Sequence, residues 1–144
     1  MLKILCIGPP EGRDFAKCFG ECAVREFGED TVVHFEPNMR GALREIGRGN
    51  YDAAILENYL IPTHDGCRLE DLQNPAAPAA NVARFARVRG VPFIALVPET
   101  DVVTRDYLRG AGADFLPYPC LTEAIFEKIY AHREISTPFP VDKD

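Results

Sequence analysis

Two hydrophobic rhythms alternate along the chain. Short, nearly continuous apolar runs have the length and character of strands: "LKILCIG" (2–8), "DTVVHFE" (30–36), "YDAAILEN" (51–58), "VPFIALV" (91–97) and "DFLPYP" (114–119). Between them, apolar residues recur at helical spacing. Phe15, Cys18, Phe19, Cys22 and Phe27 predict a first helix over about 11–27, with Pro9 and Pro10 suited to its start. Asn38 predicts the cap of a second helix whose inner face is Met39, Ala42, Leu43 and Ile46 and which ends at Gly47 and Gly49. A third helix carries Val82, Phe85 and Ala86 on one side. A fourth spans 101–112 and stops at glycines, and a fifth spans 121–134 with Leu121, Ala124, Ile125 and Ile129 facing inward. The tail 135–144 has two prolines and no helical period, which predicts a loose end.

Five strand–helix units in about 134 residues predict one α/β domain over 1–134: an open parallel sheet in three layers, α/β/α. The middle runs lack alternation, as strands covered on both faces do. Right-handed crossovers limit the topology, and the expected strand order is the flavodoxin-like 2-1-3-4-5. Ligands of such sheets sit at the carboxyl ends of the strands. Those ends are Gly8-Pro9-Pro10, Glu57-Asn58, Val97-Pro98 and Tyr118-Pro119.

Composition narrows the field. A net charge of −6 argues against non-specific nucleic-acid binding, which needs a basic surface. Arg84, Arg87 and Arg89 form one modest cluster, read as a solvated helix face. No apolar run reaches membrane-spanning length, and the start does not read as a signal peptide, so a soluble cytoplasmic protein is expected. Five cysteines with no regular framework fit reduced thiols. Cys18 and Cys22, four apart in the apolar stripe, read as buried structural thiols, as does Cys6. "THDGC" brings His64, Asp65 and Cys67 together, but no second His/Cys pair has metal-binding spacing. His34 and His132 read as isolated. The run "IGPPEGRD" lacks the small and donor residues of a phosphate-binding loop, so no cofactor and no metal are expected.

Several stretches resemble the receiver domains of two-component response regulators (CheY-like). "YDAAILENYLIPTHDG" resembles the family's third strand and its Leu-Pro-x-x-Asp-Gly loop, with one residue inserted. "EPNMRGAL" is similar to the start of the second helix, "VPFIALVPETD" to the fourth strand, and "LRGAGADFLPYP" to the Ala-Gly-Ala-Asp segment and the Lys-Pro that closes the fifth strand. The likeness covers about residues 1–134 and implies a domain that relays a phosphoryl group through an aspartate. That chemistry needs a short carboxylate nucleophile, two acids to hold Mg²⁺, a hydroxyl on the phosphoryl group and a lysine to neutralise it.

This sequence departs at every part. Glu57 stands at the phosphoacceptor position. Gly8-Pro9-Pro10 replaces the acidic pair, Val97 the hydroxyl, and Tyr118, before Pro119, the lysine. Glu11 and Asp14 come later, where acids also suit the first turn of a helix. Three readings of Glu57 stay open: a mimic of the phosphorylated aspartate, a residual metal ligand, or a plain strand-end residue.

The expected protein is therefore a stand-alone pseudo-receiver, not an enzyme, without an output domain of its own. It would act by protein–protein contact with a signalling kinase, regulator or output protein, or as a homodimer, and bind neither nucleic acid nor membrane. The resemblance points to the fourth helix, fifth strand and last helix as the contact face, with Tyr107, Phe115, Tyr118, Phe126 and Tyr130 as aromatic anchors. Phe115 would be the family's switch aromatic. The long connection 59–80, with Leu69 and Leu72, either covers the old site or docks a partner. Two rival readings remain. One is a divergent phosphoacceptor using Glu57 or Asp65 with Glu11. The other is a small-molecule sensor with a pocket lined by Pro9, Glu57, Val97 and Tyr118.

Overall fold

A computed structural model describes residues 2–9, 13–59, 61 and 74–136, with only the backbone of 134–136. Pro10, Glu11, His64, Asp65, Cys67, Leu69, Leu72 and the tail beyond residue 136 lie outside the described residues. Five strands and five helices alternate: β1 (Lys3–Ile7), α1 (Arg13–Phe27), β2 (Val32–Glu36), α2 (Met39–Arg48), β3 (Ala53–Leu56), α3 (Ala77–Val88), β4 (Phe93–Pro98), α4 (Val102–Gly110), β5 (Asp114–Tyr118) and α5 (Thr122–Ser136). All strand pairs are parallel and the order is β2-β1-β3-β4-β5. This is the expected flavodoxin-like arrangement. The last helix runs two residues past the boundary expected at 134.

Burial explains the order. β3 is wholly buried, and β1 and β4 are buried except for Lys3 and Pro98. Successive side chains point to opposite faces, so each central strand feeds two cores. On one face Leu5, Ile7, Ala54, Leu56, Ala95 and Val97 pack under α2, α3 and α4. On the other, Ile4, Cys6, Ala53, Ile55, Ile94 and Leu96 pack under α1 and α5. The edge strands β2 and β5 are only half-buried. Ile61, in the long connection, is fully buried beneath the α2–α4 layer.

Local chemistry sets the helix ends. The Asn38 side chain accepts the Gly41 N–H at 2.8 Å, and Asp101 does the same for Thr104 at 3.2 Å. Such caps satisfy backbone donors that the first helical turn leaves open. Gly47 lies inside α2, which closes at Gly49. Gly112 follows α4 at φ +102°, a conformation that only glycine adopts without strain.

Two inward faces, those of α1 and α5, differ from expectation. The buried stripe of α1 is Ala16, Phe19 and Ala23, whereas Cys18 is exposed and Cys22 half-buried. Small alanines let the helix approach the sheet closely, so the stripe sits beside the bulky residues that suggested it. Leu121 precedes the first helical residue of α5 and is 75 % exposed. Phe126, expected at a contact surface, is core: its ring centroid lies 5.5 Å from that of Phe19 and 5.1 Å from that of Phe27.

Ile55→Ala should cost about 2–5 kcal/mol, because its site is closed on all sides, while Leu121→Ala should stay within about 0.5 kcal/mol. Urea denaturation of both variants checks this. Equal losses would contradict the packing described.

Candidate functional site

The carboxyl edge of the sheet is where the strand ends converge. In the β1–β3 ladder Ile7 pairs with Leu56, so Gly8 and Glu57 come next, side by side. The Glu57 N–H donates to the Ile7 carbonyl at 2.8 Å and the Gly8 N–H to the Glu36 carbonyl at 3.2 Å, which carries both residues one step beyond the strands. Glu57 follows Ala53 and Ile55 in alternation, so its side chain turns toward the α1–α5 face.

There the carboxylate lies across Gly8. A Cβ on Gly8 would stand 2.6 Å from Glu57 Oε1 and 3.3 Å from its Cβ. The glycine is therefore a fitted part of the edge, and its missing side chain is the room that Glu57 occupies. Cys6, beneath this pair on the same face, is fully buried. Burial first, and the Glu57 charge second, push its thiol up to about 12. Cys6 thus stays protonated through the neutral range and is no nucleophile there.

A cavity of about 180 Å³ opens beside Glu57, walled by Asn58, Tyr59, Leu96, Pro98 and Tyr118. Tyr118 is 45 % exposed, and its bond to Pro119 is cis. Val97, expected to line this pocket, does not reach it. In the alternation of β4 it faces the α2–α4 layer, where it is buried. Asn58 and Pro98 belong to the strand ends where the sequence places a ligand, whereas Tyr59 and Leu96 are lining residues that it did not single out; strand alternation past Ala95 was the available signal for Leu96. Tyr59 also donates its hydroxyl to Asp101, the residue that caps α4. The segment after β3 is thereby tied to the start of α4. Burial, and then this bond, raise the Tyr59 phenol above its usual range.

A Mg²⁺ ion of the family's type needs several oxygen ligands in octahedral array. Gly8 and Pro9 bring no side-chain oxygen, and Glu57 is the one carboxylate among the described residues that line the cavity. The described residues do not fit the ion. Nor does a lysine or arginine line this cavity among them.

The expected aromatic anchors separate. Tyr107 and Tyr130 are 36 % and 42 % exposed. Phe115 is half-buried against the α2–α4 core, with the Arg109 guanidinium 4.8 Å from its ring centroid. The histidines are not isolated. His34 Nε2 lies 2.7 Å from Glu36 Oε2, with Glu45 close by, and His132 Nε2 lies 3.2 Å from Asp114 Oδ2. No helix among the described residues is long and apolar enough to cross a membrane.

No protein-family model and no curated protein matches the chain. Solved structures do. The receiver domain of a sensor histidine kinase from Pseudomonas aeruginosa, with magnesium coordinated in its active-site cleft, is 20 % identical over 90 % of this chain and 95 % of its own, with a TM-score of 0.64. A CheY-like response-regulator receiver domain from Methanospirillum hungatei is 17 % identical over 94 % and 99 %, at 0.68. A chain from an adenylate cyclase of Rhodopirellula baltica is 17 % identical over 92 % and 87 %, at 0.66. The chain has the receiver fold, and at these identities the fold is what the likeness carries.

Gly8→Ala should destabilise by about 1–3 kcal/mol through overpacking against Glu57. In the Glu57→Ala background the same change should cost clearly less, because its nearest neighbour is gone. A double-mutant cycle by chemical denaturation measures this coupling. Simple additivity would refute the contact.

Proposed function

We propose that the chain is a receiver-type module of two-component signalling that acts through protein–protein contact and does not accept a phosphoryl group by the family's aspartyl mechanism. The observation that carries this reading is the edge itself: a long carboxylate folded over Gly8, next to Pro9, with Tyr118 where a cation would stand. A phosphoryl group at this edge would add about two negative charges at neutral pH. No described lining residue would balance them, and Glu57 adds a like charge. Among the described residues, the stabilisation of developing charge on which phosphoryl transfer relies is missing.

Signalling then has to pass by surface recognition. The exposed residues of α4, β5 and the turn into α5 offer Val103, Tyr107, Tyr118 and Leu121 as apolar contacts. The Tyr59–Asp101 link holds the start of α4 to the edge without any phosphoryl group, which favours one fixed arrangement of that face. A partner that reads one receiver state would be the natural recipient: a kinase, a regulator or an output protein. The cavity beside Glu57 favours a second reading, a small-molecule sensor, and a ligand-dependent rise in melting temperature lost in Tyr118→Ala would support it.

Intact-mass spectrometry after incubation with Mg²⁺ and acetyl phosphate tests the main reading. The expected result is an unchanged mass. A metal-dependent phosphoryl adduct, lost in Glu57→Gln or in Asp65→Asn, would overturn it and identify the acceptor.

A further inference from the structure

A second cavity, of about 160 Å³, lies between the end of β4, α4 and β5. Among the described residues it shares no lining residue with the one beside Glu57. Arg105 and Arg109 project into it from α4, one turn apart on the same helix face. Val97, Phe115 and Pro117 supply an apolar wall, and Glu99 stands at its side.

The two arginines are held differently. Arg109 is fixed by the Phe115 ring and by Asp106, whose Oδ1 accepts from its Nη1 at 3.4 Å. Arg105 is half-buried, and its Nε–H is closed off from solvent with no acceptor among the described residues. A buried guanidinium donor without a partner is costly, and an anion would meet Arg105 through the part of its side chain that lines the cavity. The lining brings two guanidinium groups and one carboxylate, Glu99; Arg109 is already paired with Asp106, which leaves Arg105 as the cation open to an anion.

These features select an anion of a certain kind. The planar guanidinium fork matches carboxylate and phosphate geometry. The apolar wall discriminates between them, because a strongly hydrated phosphate gains nothing from Val97, Phe115 and Pro117, whereas a hydrocarbon stem is desolvated there. We propose that this cavity binds a carboxylate carried on a short apolar stem, anchored by Arg105 at the wall and Arg109 at the mouth. Such a carboxylate comes either as a free short-chain acid or as the C-terminus of a polypeptide ending in an aliphatic residue. The site does not depend on how Glu57 behaves, and neither result bears on the other.

The test uses the ¹⁵N-labelled full chain and follows the Arg105 Nε–H and Phe115 amide resonances. Butyrate, inorganic phosphate, a short peptide ending in a free-acid leucine, and the same peptide amidated are titrated in turn. We expect saturable shifts with butyrate or with the free-acid peptide, weaker binding of phosphate, and none of the amide. Arg105→Gln should weaken the response by about tenfold or more, its amide dispersion showing that it still folds, and Arg105→Lys should fall between. Saturation by butyrate assigns a free acid as the source. Saturation by the peptide alone assigns a chain end. Absence of saturation by either, phosphate binding as tightly as the carboxylate, or an Arg105→Gln response equal to the wild type would each overturn the proposal.

Discussion

Burial of β1, β3 and β4 on both faces is the constraint from which the rest of this molecule follows. Strands without an exposed face need helices on each side, and parallel strands need a crossover between each pair. The helices therefore split into an α1–α5 layer and an α2–α3–α4 layer. All strand ends then point one way, and the segments that leave them gather at a single edge. The side-chain alternation that builds two cores also decides what each strand end offers there. Glu57 turns toward one face and Val97 toward the other, although both stand just where their strands run out.

The character of that edge is electrostatic. A receiver that handles phosphoryl groups balances a cluster of acids with a metal and a lysine. Here one carboxylate rests over a glycine, above a thiol that burial keeps neutral. On α4, Arg105 and Arg109 border a separate cavity with an apolar wall that includes Phe115. The Tyr59–Asp101 bond links the two regions mechanically.

The sheet, its order and the strand-end residues were legible in the sequence because apolar runs and their spacing depend on burial alone. Side-chain placement was less legible. Bulky residues at helical spacing place position 18 of α1 inward, yet close approach to a sheet favours alanines such as Ala16 and Ala23. Phe126 looked like a surface anchor because nothing in α5 by itself reveals Phe19 and Phe27 waiting on α1. Leu121 failed because it lies one residue before the helix begins. The Gly8–Glu57 fit needed the register of two strands whose paired residues lie 49 apart in sequence, which no local pattern encodes. The arginine cavity was equally out of reach, since it draws on β4, α4 and β5 at once.

The most direct test of the central claim asks whether the edge can hold a phosphoryl-like anion at all. Amide spectra of the ¹⁵N-labelled chain would be recorded with Mg²⁺, then with Mg²⁺ and beryllofluoride, a stable mimic of an acyl-phosphate. Unchanged resonances at Gly8, Glu57, Tyr118 and along α4 are the predicted result. Saturable, magnesium-dependent shifts at those residues would contradict the account and place this chain among phosphorylatable receivers.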